Sequence, residues 1–273
     1  MQIILLTGMP RCGSSWACRV FAAATQSVLI NEPFNWETYP DRARHFLKYV
    51  PAGEDDTGLC DILRDEIARR RPLRRLFRRP RRFLIKDVHA FLATERIAET
   101  LRPRVIVLMR HPCAVAQSWA KLRYGIDDRS ERLLRQPALM RDHLAPFEDH
   151  ICRQDNYFSL LGAYWGSIYY ILTRQAQRHS GWQIVTHEDL CADPEKSYAG
   201  ILAAMGLSFR TEGRAFLQEH DKEQGPENNA YAIDRPTRRE RDKWKSLLSP
   251  EHAAQVLAGV EPFGVLQRHY PVS

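Results

Sequence analysis

The chain has 273 residues, of which 44% are hydrophobic and 27% charged, a composition typical of a globular protein and not of a disordered one. No apolar stretch approaches the ~20 residues that a membrane-spanning helix requires. The formal net charge of +7 indicates an anionic ligand, partner or surface.

Short apolar segments alternate with helical patterns along the chain. In chain order we expect a strand at 3–6, a helix at 14–24, strands at 83–85 and 105–109, helices at 114–122 and 155–178, and a strand at 182–185. This alternation predicts the α/β class with a mostly parallel sheet. Because ligands of such sheets bind at the carboxyl ends of the strands, polar residues at those ends are candidates for a site.

The cysteines give an expectation about the compartment. The six of them are scattered without a Cys-x-x-Cys pair, which disfavours a zinc site and a disulfide framework and fits a reducing environment. The first residues lack a basic region followed by a longer apolar core, so we expect no signal peptide. We therefore expect a cytoplasmic protein.

The first strand leads into TGMPRCGSSWACRVF, residues 7–21, which has the outline of a phosphate-binding strand, loop and helix but lacks the Gly-Lys-[Ser/Thr] of a nucleotide triphosphatase. Gly13 permits close approach of a ligand to the backbone. The hydroxyls of Ser14 and Ser15 and the free amides of the helix N-terminus can hold an anion. Arg11 adds a guanidinium that can bind two oxygens at once. An ordinary turn between strand and helix is the alternative interpretation.

A second candidate lies in LMRHPCAVAQSW, residues 108–119. Arg110 ends a buried strand, and Ser118 follows about two helical turns along the next helix. This spacing can place a guanidinium and a hydroxyl around one further phosphate, separate from that of the first loop.

Three segments, in this order, resemble the sulfotransferases that use 3′-phosphoadenosine 5′-phosphosulfate (PAPS): PRCGSSW at 10–16, LMRHPCAVAQSW at 108–119 and VTHEDLCADPEKSYAGILAAMGL at 185–207. The resemblance implies one P-loop-like three-layer sandwich over 1–273, with helices flanking a central sheet, and PAPS as co-substrate. It also implies that the first segment holds the phosphosulfate, that Trp16 stacks on adenine and that the second segment holds the 3′-phosphate. The residues that it assigns to donor binding are Arg11, Cys12, Gly13, Ser14, Ser15, Trp16, Arg110, Ser118, His187, Arg238 and Arg239.

Differences from the family's motifs indicate which branch of the sulfotransferases the chain resembles more. Arg11 makes the chain more similar to the carbohydrate-type and bacterial sulfotransferases than to the aryl and steroid branch, which carries lysine there. Lys86 is followed by His89, one place later than in the Lys-x-His of the aryl and steroid branch. Arg238 and Arg239 lie where the family has a basic loop that closes over the nucleotide, but the glycine of that loop is missing. A solvated helix with alternating charges is the alternative there.

Sulfuryl transfer needs a nucleophilic hydroxyl, an in-line arrangement and stabilisation of charge on the migrating group and the leaving phosphate oxygen. A sulfuryl group carries less negative charge than a phosphoryl group, so cationic side chains can take the role that Mg²⁺ has in kinases. Arg11 and Lys86 are our candidates for this role. We therefore expect a reaction without a metal.

Glu32 is the first candidate for the base that deprotonates the acceptor hydroxyl. It lies in Asn31-Glu32-Pro33-Phe34, and a Glu-Pro pair at this place resembles that of the carbohydrate-type sulfotransferases. Glu32 could act as this base if partial burial raises its pKa toward neutrality. A surface or helix-capping carboxylate is the alternative. His89 is the second candidate base, although strand geometry would turn its side chain to the opposite face.

The acceptor hydroxyl is expected on a carbohydrate, glycolipid or secondary metabolite, and residues 36–82 and 122–154 are expected to form the acceptor side or a lid. Nine arginines lie at 69–83. We expect residues 69–82 to be either a solvated face or a surface for an anionic acceptor or a membrane; nucleic acid is disfavoured because no module of stacking aromatics accompanies them. Two other functions stay open. One is a small-molecule kinase using ATP and Mg²⁺, which the missing P-loop lysine opposes, and the other is a non-catalytic polyanion-binding protein.

Overall fold

The computed structural model describes residues 1–54, 58–70, 82–222 and 241–270, and of 221–222 the backbone alone. The strands in these ranges are β1 (Gln2–Thr7), β2 (Val28–Asn31), β3 (Arg82–Asp87), β4 (Arg104–Met109) and β5 (Gln183–Thr186). They pair in parallel as one sheet in the order β2-β3-β1-β4-β5.

The helices of the described ranges fall before, between and after these strands. They are α1 (Ser14–Thr25), α2 (Leu59–Arg69), α3 (Thr94–Leu101), α4 (Pro112–Leu122), α5 (Asp127–Leu134), α6 (Pro137–Leu139), α7 (Glu148–Cys152), α8 (Tyr157–Arg178), α9 (His187–Ala192), α10 (Pro194–Ala204), α11 (Thr211–Lys222), α12 (Trp244–Leu247), α13 (Pro250–Val260) and α14 (Val265–His269). Short 3₁₀ turns and one π turn connect some of them.

Both faces of the sheet are covered by helices. Side chains alternate across a strand, so Ile3 and Leu5 of β1 point to one face and Ile4 and Leu6 to the other. The first pair belongs to a buried cluster with residues of α4 and α8, and the second pair to a cluster with residues of α1 and α10. A strand buried on both faces reads as a continuous apolar run, which is why β1 was recognisable in the sequence. The predicted α/β sandwich with a central parallel sheet is confirmed.

The predicted strands are confirmed, but β2 was missed. It is four residues long and only Ile30 within it is buried, so it lacks the apolar run that marks the other strands. The long aromatic helix begins at Tyr157 and not at 155, because Asn156 caps it. The side-chain oxygen of Asn156 accepts a hydrogen bond from the amide of Ser159 at 3.0 Å.

Parts of the predicted site lie outside the described residues, namely Arg238, Arg239 and positions 71–81 of the arginine-rich segment. At the start of that segment, Arg69 and Arg70 form ion pairs with the buried carboxylate of Glu66. In the ranges given above, no helix combines the length and the apolar character needed to cross a membrane.

Candidate active site

The candidate site occupies the edge of the sheet at which the parallel strands end. The register pairs Thr7 with Asp87, Asn31 with Lys86 and Met109 with Thr186, so the residues that follow these strands are neighbours. This edge brings together the loop 8–13 after β1, Glu32 after β2, Lys86 and Asp87 at the end of β3, Arg110 after β4 and His187 after β5.

Two glycines let the loop 8–13 pass close to its neighbours. Gly8 has a φ of 152°, and a Cβ there would lie 2.2 Å from the carbonyl oxygen of Leu108. Gly13 has a φ of 91°, and its Cβ would lie 2.2 Å from Cδ2 of His187. Only glycine tolerates such distances, so this path of the loop depends on both residues. His187 therefore packs on the start of α1, beside the predicted phosphate loop.

Two of the residues predicted to bind the sulfuryl donor PAPS have uncharged side chains. His187 is buried, and burial together with the charge of Arg110 lowers its pKa to about 3, so the ring is neutral near pH 7. Cys12 is fully buried, and burial raises the pKa of its thiol. Its amide donates to the carbonyl oxygen of Met9 at 3.2 Å. The positive charge of the site therefore comes from other residues.

Arg11 connects the two predicted phosphate-binding segments. Its Nε donates to Oγ of Ser118 at 2.9 Å, and Nη1 of Arg110 donates to the carbonyl oxygen of Arg11 at 3.3 Å. The indole of Trp119 donates to the carbonyl oxygen of Pro10 at 3.1 Å, which ties the same loop to α4. Arg11 has a φ of 73°, a left-handed conformation that costs a non-glycine residue on the order of 1 kcal/mol. From the sequence we expected the two segments to hold two separate phosphates. The structure adds that the segments themselves are in direct contact.

The start of α1 adds backbone donors to these guanidinium groups. Gly13 precedes the helix and has no side chain to cap it, and the first turn contains no acidic residue. The first-turn amides and the positive end of the helix dipole therefore favour an anion at this end. Ser15, in the first turn, is exposed. Within the described ranges, no group of three or more His, Cys, Asp or Glu side chains is placed to hold a metal ion.

Glu32, Lys86 and His89 form a charged cluster beside α1. The side chain of Lys86 is only 2% exposed, and its ammonium forms an ion pair with the carboxylate of Glu32. The same Nζ lies 3.4 Å from Oγ of Ser15. Nε2 of His89 lies 3.6 Å from the other carboxylate oxygen of Glu32. Lys86 thus lies between the candidate base and the first turn of α1.

The pKa of Glu32 is lowered. Burial alone would raise this pKa, but the neighbouring imidazole of His89 and the ammonium of Lys86 together outweigh burial. The condition of a pKa raised toward neutrality is therefore not met, because the ammonium of Lys86 and the imidazole of His89 both lie beside the carboxylate. Glu32 also has a φ of 47°, and its amide donates to the carbonyl oxygen of Lys86 at 2.6 Å, so its backbone is fixed against β3.

Asp87 holds the two candidate bases in place and was not recognised from the sequence. Its buried carboxylate accepts hydrogen bonds from the amides of Phe34 at 3.1 Å, His89 at 2.8 Å and Ala90 at 2.7 Å. The available signal was an aspartate at a strand end, which can bond amides two and three residues later. The expectation that His89 faces away was wrong, because β3 ends at Asp87 and strand alternation does not extend to His89.

Aromatic rings lie beside the start of α1. The half-buried ring of Trp16 packs at 5.4 Å from that of Phe216 and at 5.6 Å from that of His220, both on α11. Among the described residues, the buried indole Nε1 of Trp16 has no hydrogen-bond partner. From the sequence, Trp16 was the one ring expected at this place. Phe216 and His220 were not expected there, because they belong to a largely charged helix without a recognisable motif.

A network behind β4 fixes the backbone of Arg110. The carboxylate of Glu188 accepts hydrogen bonds from the amide of His111 at 3.0 Å and the hydroxyl of Tyr270 at 2.8 Å, and burial raises the pKa of Glu188. The indole of Trp165 donates to the carbonyl oxygen of Arg110 at 3.0 Å. Residues of α8, α9 and the C-terminal region therefore hold Arg110 next to Arg11.

A cavity of about 470 Å³ lies near the charged cluster of Glu32, Lys86 and His89. It is lined by Trp36, Ala43, Phe46, Gly125, Asp127, Asp128, Arg129 and Arg132. These residues come from 36–82 and 122–154, the two segments in which an acceptor side was expected. The ring of Phe46, which lines the cavity, also lies 6.0 Å from that of His89, so the cavity and the second candidate base share Phe46 as a neighbour.

Comparison with known proteins bears on the fold. Models of protein families and curated proteins gave no match to the sequence. Among solved structures, the sulfotransferase domain of the Synechococcus PCC 7002 olefin synthase is similar at 17% identity and a TM-score of 0.51, over 97% of this chain and 94% of that one. The sulfotransferase domain of the curacin biosynthetic pathway (16%, TM-score 0.48, 94% and 96%) and mouse sulfotransferase SULT7A1 complexed with PAP (14%, TM-score 0.49, 98% and 89%) were also found. The chain has the sulfotransferase fold, as the motifs implied.

Proposed function

We propose that this protein is an enzyme, a sulfotransferase that moves a sulfuryl group from PAPS to an acceptor hydroxyl. The observation that carries the proposal is the contact between the two segments predicted to bind anions. Arg11 donates to Ser118, and Arg110 donates to the backbone of Arg11, at the uncapped start of α1. The Lys86–Glu32 ion pair lies against the same helix start, 3.4 Å from the Ser15 hydroxyl. The fold shared with the olefin synthase domain supports this reading.

The chemistry of PAPS matches the groups at this edge. Arg110 and Ser118 would hold the 3′-phosphate, and Arg11 with the first-turn amides would hold the 5′-phosphosulfate. The ring of Trp16 offers a flat surface for adenine, and the neutral ring of His187 packs against Gly13 of the loop. Arg238 and Arg239 remain candidates for closing over the nucleotide.

In the proposed reaction the acceptor oxygen attacks sulfur in line with the oxygen that bridges sulfur and phosphorus. An O–S bond forms while the S–O bond to the phosphate breaks, and 3′-phosphoadenosine 5′-phosphate (PAP) leaves with the electron pair. The hydroxyl proton passes to a base of the site. Lys86 and Arg11 stabilise the negative charge on the sulfuryl and leaving oxygens, a contribution of roughly 3–4 kcal/mol for one well-placed donor.

Glu32 is the proposed base. In the absence of donor it is paired with Lys86, which lowers its basicity. An anionic donor that attracts the Lys86 ammonium would weaken this pair and raise the pKa of Glu32. His89, 3.6 Å away, is the second candidate. We expect Glu32→Gln to lower kcat on the order of 10²–10⁴-fold and His89→Gln to lower it less. The reverse ranking would assign the base to His89.

The first test is calorimetric titration with PAP in EDTA. We expect micromolar binding to the wild type, no comparable binding of adenosine 5′-phosphate, and at least about tenfold weaker PAP binding to Arg110→Ala. Lys121→Ala is the matched control, because Lys121 is an exposed cation on α4. Its affinity for PAP is expected to equal that of the wild type.

Other outcomes would favour the other functions. Binding of ATP only with Mg²⁺ would favour a kinase, and binding of a polyanion without any nucleotide binding would favour a non-catalytic role. If PAP binds as expected, transfer from PAPS to carbohydrate, glycolipid and secondary-metabolite hydroxyls is the next assay, because these are the acceptor classes left open above.

A further inference from the structure

The cavity beside Phe46 has a size and lining suited to a small molecule. Its volume of about 470 Å³ lies in the range of ligand sites in proteins. Two aromatic rings form part of its wall, those of Trp36 and Phe46, with centroids 6.3 Å apart and planes at 59°. Trp36 is 42% exposed, which is unusual for so large an apolar ring. Such walls favour a flat, apolar ligand body.

Two arginines of α5 supply positive charge at the same cavity. The guanidinium carbon of Arg129 lies 5.0 Å from the centre of the Phe46 ring, and that of Arg132 lies 5.8 Å from it. Nε of Arg129 donates to the carbonyl oxygen of Gly125 at 3.2 Å, which fixes its direction. In the part of the chain that the structure describes, Nη1 of Arg129 is buried without a hydrogen-bond partner.

The carboxylates near these arginines do not neutralise them. Asp127 and Asp128 also line the cavity, but they are exposed and lie in the first turn of α5, where the helix dipole favours negative charge. Among the described residues, neither Arg129 nor Arg132 forms an ion pair with a carboxylate. Two guanidinium groups that lie near one aromatic ring and have no carboxylate partner among the described residues suit a carboxylate, sulfate or phosphate of a ligand.

Phe46 connects this cavity to the candidate bases. Its ring centre lies 5.0 Å from the guanidinium carbon of Arg129 and 6.0 Å from the ring centre of His89, and Nε2 of His89 lies 3.6 Å from the carboxylate of Glu32. A ligand that extends past Phe46 would present one end to the arginines and the other to the bases. The end near the arginines is suited to an anion, and the end near the bases to a hydroxyl.

We propose that the acceptor of this enzyme is a small, flat hydroxyl compound with an anionic group, and that Arg129, assisted by Arg132, recognises that group. This inference rests on the proposed function, since it names the acceptor of the same site. Among the acceptor classes left open above, it favours an acidic secondary metabolite over a neutral sugar.

The test uses three probes that share a hydroxyphenyl ring and differ in charge near pH 7: 4-hydroxyphenylacetate is negative, 4-hydroxyphenylacetamide is neutral and tyramine is positive. Calorimetry with the PAP-saturated full chain gives their affinities, and transfer from PAPS gives kcat/KM. We expect the acetate to exceed the acetamide about tenfold or more in both, with tyramine weakest. In Arg129→Gln the ratio of acetate to acetamide should fall to about one.

Arg135→Gln is the matched control, because Arg135 follows the same helix and pairs with Glu131 at the surface. It is expected to keep the wild-type ratio. No binding of the acetate, equal affinity for acetate and acetamide in the wild type, or an unchanged ratio in Arg129→Gln would overturn the proposal. If PAP itself fails to bind, the proposed function fails. Binding of the acetate to the chain without PAP, lost in Arg129→Gln, would then still support the anion-recognising cavity.

Discussion

Arg11 and Ser118, which are 107 positions apart in the sequence, are joined by a hydrogen bond of 2.9 Å from the guanidinium Nε to the hydroxyl oxygen. The bond connects the loop between β1 and α1 to the helix α4. It directs the guanidinium before any anion is present, so less conformational freedom is lost when a ligand binds. Ser118 therefore has two roles in the proposed site, as a direct donor to a phosphate and as the residue that orients Arg11.

The first prediction follows from this bond. Ser118→Ala removes the acceptor of the Arg11 Nε–H and one hydroxyl donor of the site. We expect PAP to bind about tenfold more weakly, equivalent to roughly 1.4 kcal/mol. Calorimetry in EDTA measures the change, with Lys121→Ala on the same helix as control. Equal affinity of Ser118→Ala and wild type would contradict this role.

The second prediction concerns pH and the Glu32–Lys86 pair. Because the pKa of Glu32 in the folded chain lies below its unfolded value of about 4.3, the pair stabilises the fold above that pH. The contribution is lost as the pH falls through the folded pKa. Glu32→Gln leaves the Lys86 ammonium buried without its partner, at a cost on the order of 3 kcal/mol near neutral pH. We expect the stability difference between wild type and variant to be constant from about pH 7 to 5 and to shrink below about pH 4.

Urea denaturation at several pH values measures this difference. Glu37→Gln serves as control, because the side chain of Glu37 is exposed, and it should unfold like the wild type at every pH. A difference that grows as the pH falls would mean that the pKa of Glu32 is raised in the folded chain and would contradict the ion pair.

The parts of the candidate site that could be proposed from the sequence are those that depend on local spacing. The strand before loop 8–13, the glycines of that loop and the interval between Arg110 and Ser118 are all readable within one short segment. The Glu32–Lys86 pair was not readable, because it depends on β2 lying beside β3, and β2 has too few buried residues to mark it.

The position of His89 and the cavity could not be predicted from the sequence, for related reasons. Strand periodicity predicts side-chain directions only as far as the strand continues, and hydrogen bonds to Asp87 end it before His89. The cavity joins Phe46 to Arg129, which belong to segments without a recognisable motif. Contacts of this kind depend on packing in three dimensions, and one sequence contains no periodic signal for them.

The third prediction concerns Gly13. An alanine there would combine a φ of 91° with a Cβ 2.2 Å from Cδ2 of His187, a buried ring that cannot move without disturbing its own packing. We expect Gly13→Ala to destabilise the fold by roughly 2–4 kcal/mol and to weaken PAP binding. Gly181→Ala is the control, because a Cβ at Gly181 has no atom within 4 Å. Thermal unfolding distinguishes the two variants, and similar melting temperatures would contradict the close contact.

The last prediction treats Asp87 as a positioning residue. Its carboxylate accepts three backbone amides, from Phe34, His89 and Ala90, and so fixes the segments that carry Glu32 and His89. Asp87→Asn keeps one acceptor oxygen but turns an NH₂ group toward an amide donor, which costs roughly 1–3 kcal/mol of stability. Because the groups assigned to the phosphates of PAP, those of Arg11, Arg110 and Ser118, belong to other elements, we expect kcat to fall about tenfold or more while the Kd for PAP changes less than about threefold.

This split between kcat and Kd separates positioning from general loss of structure. Asp65→Asn, at an exposed aspartate of α2, is the control and should keep both constants. The kcat values must be corrected for the folded fraction, which urea denaturation provides. If kcat and PAP binding fell together, in proportion to that fraction, Asp87 would stabilise the fold without positioning the bases. A selective loss of kcat, with the pH profile of kcat displaced as well, would mean that the three amide bonds hold the base in its working position.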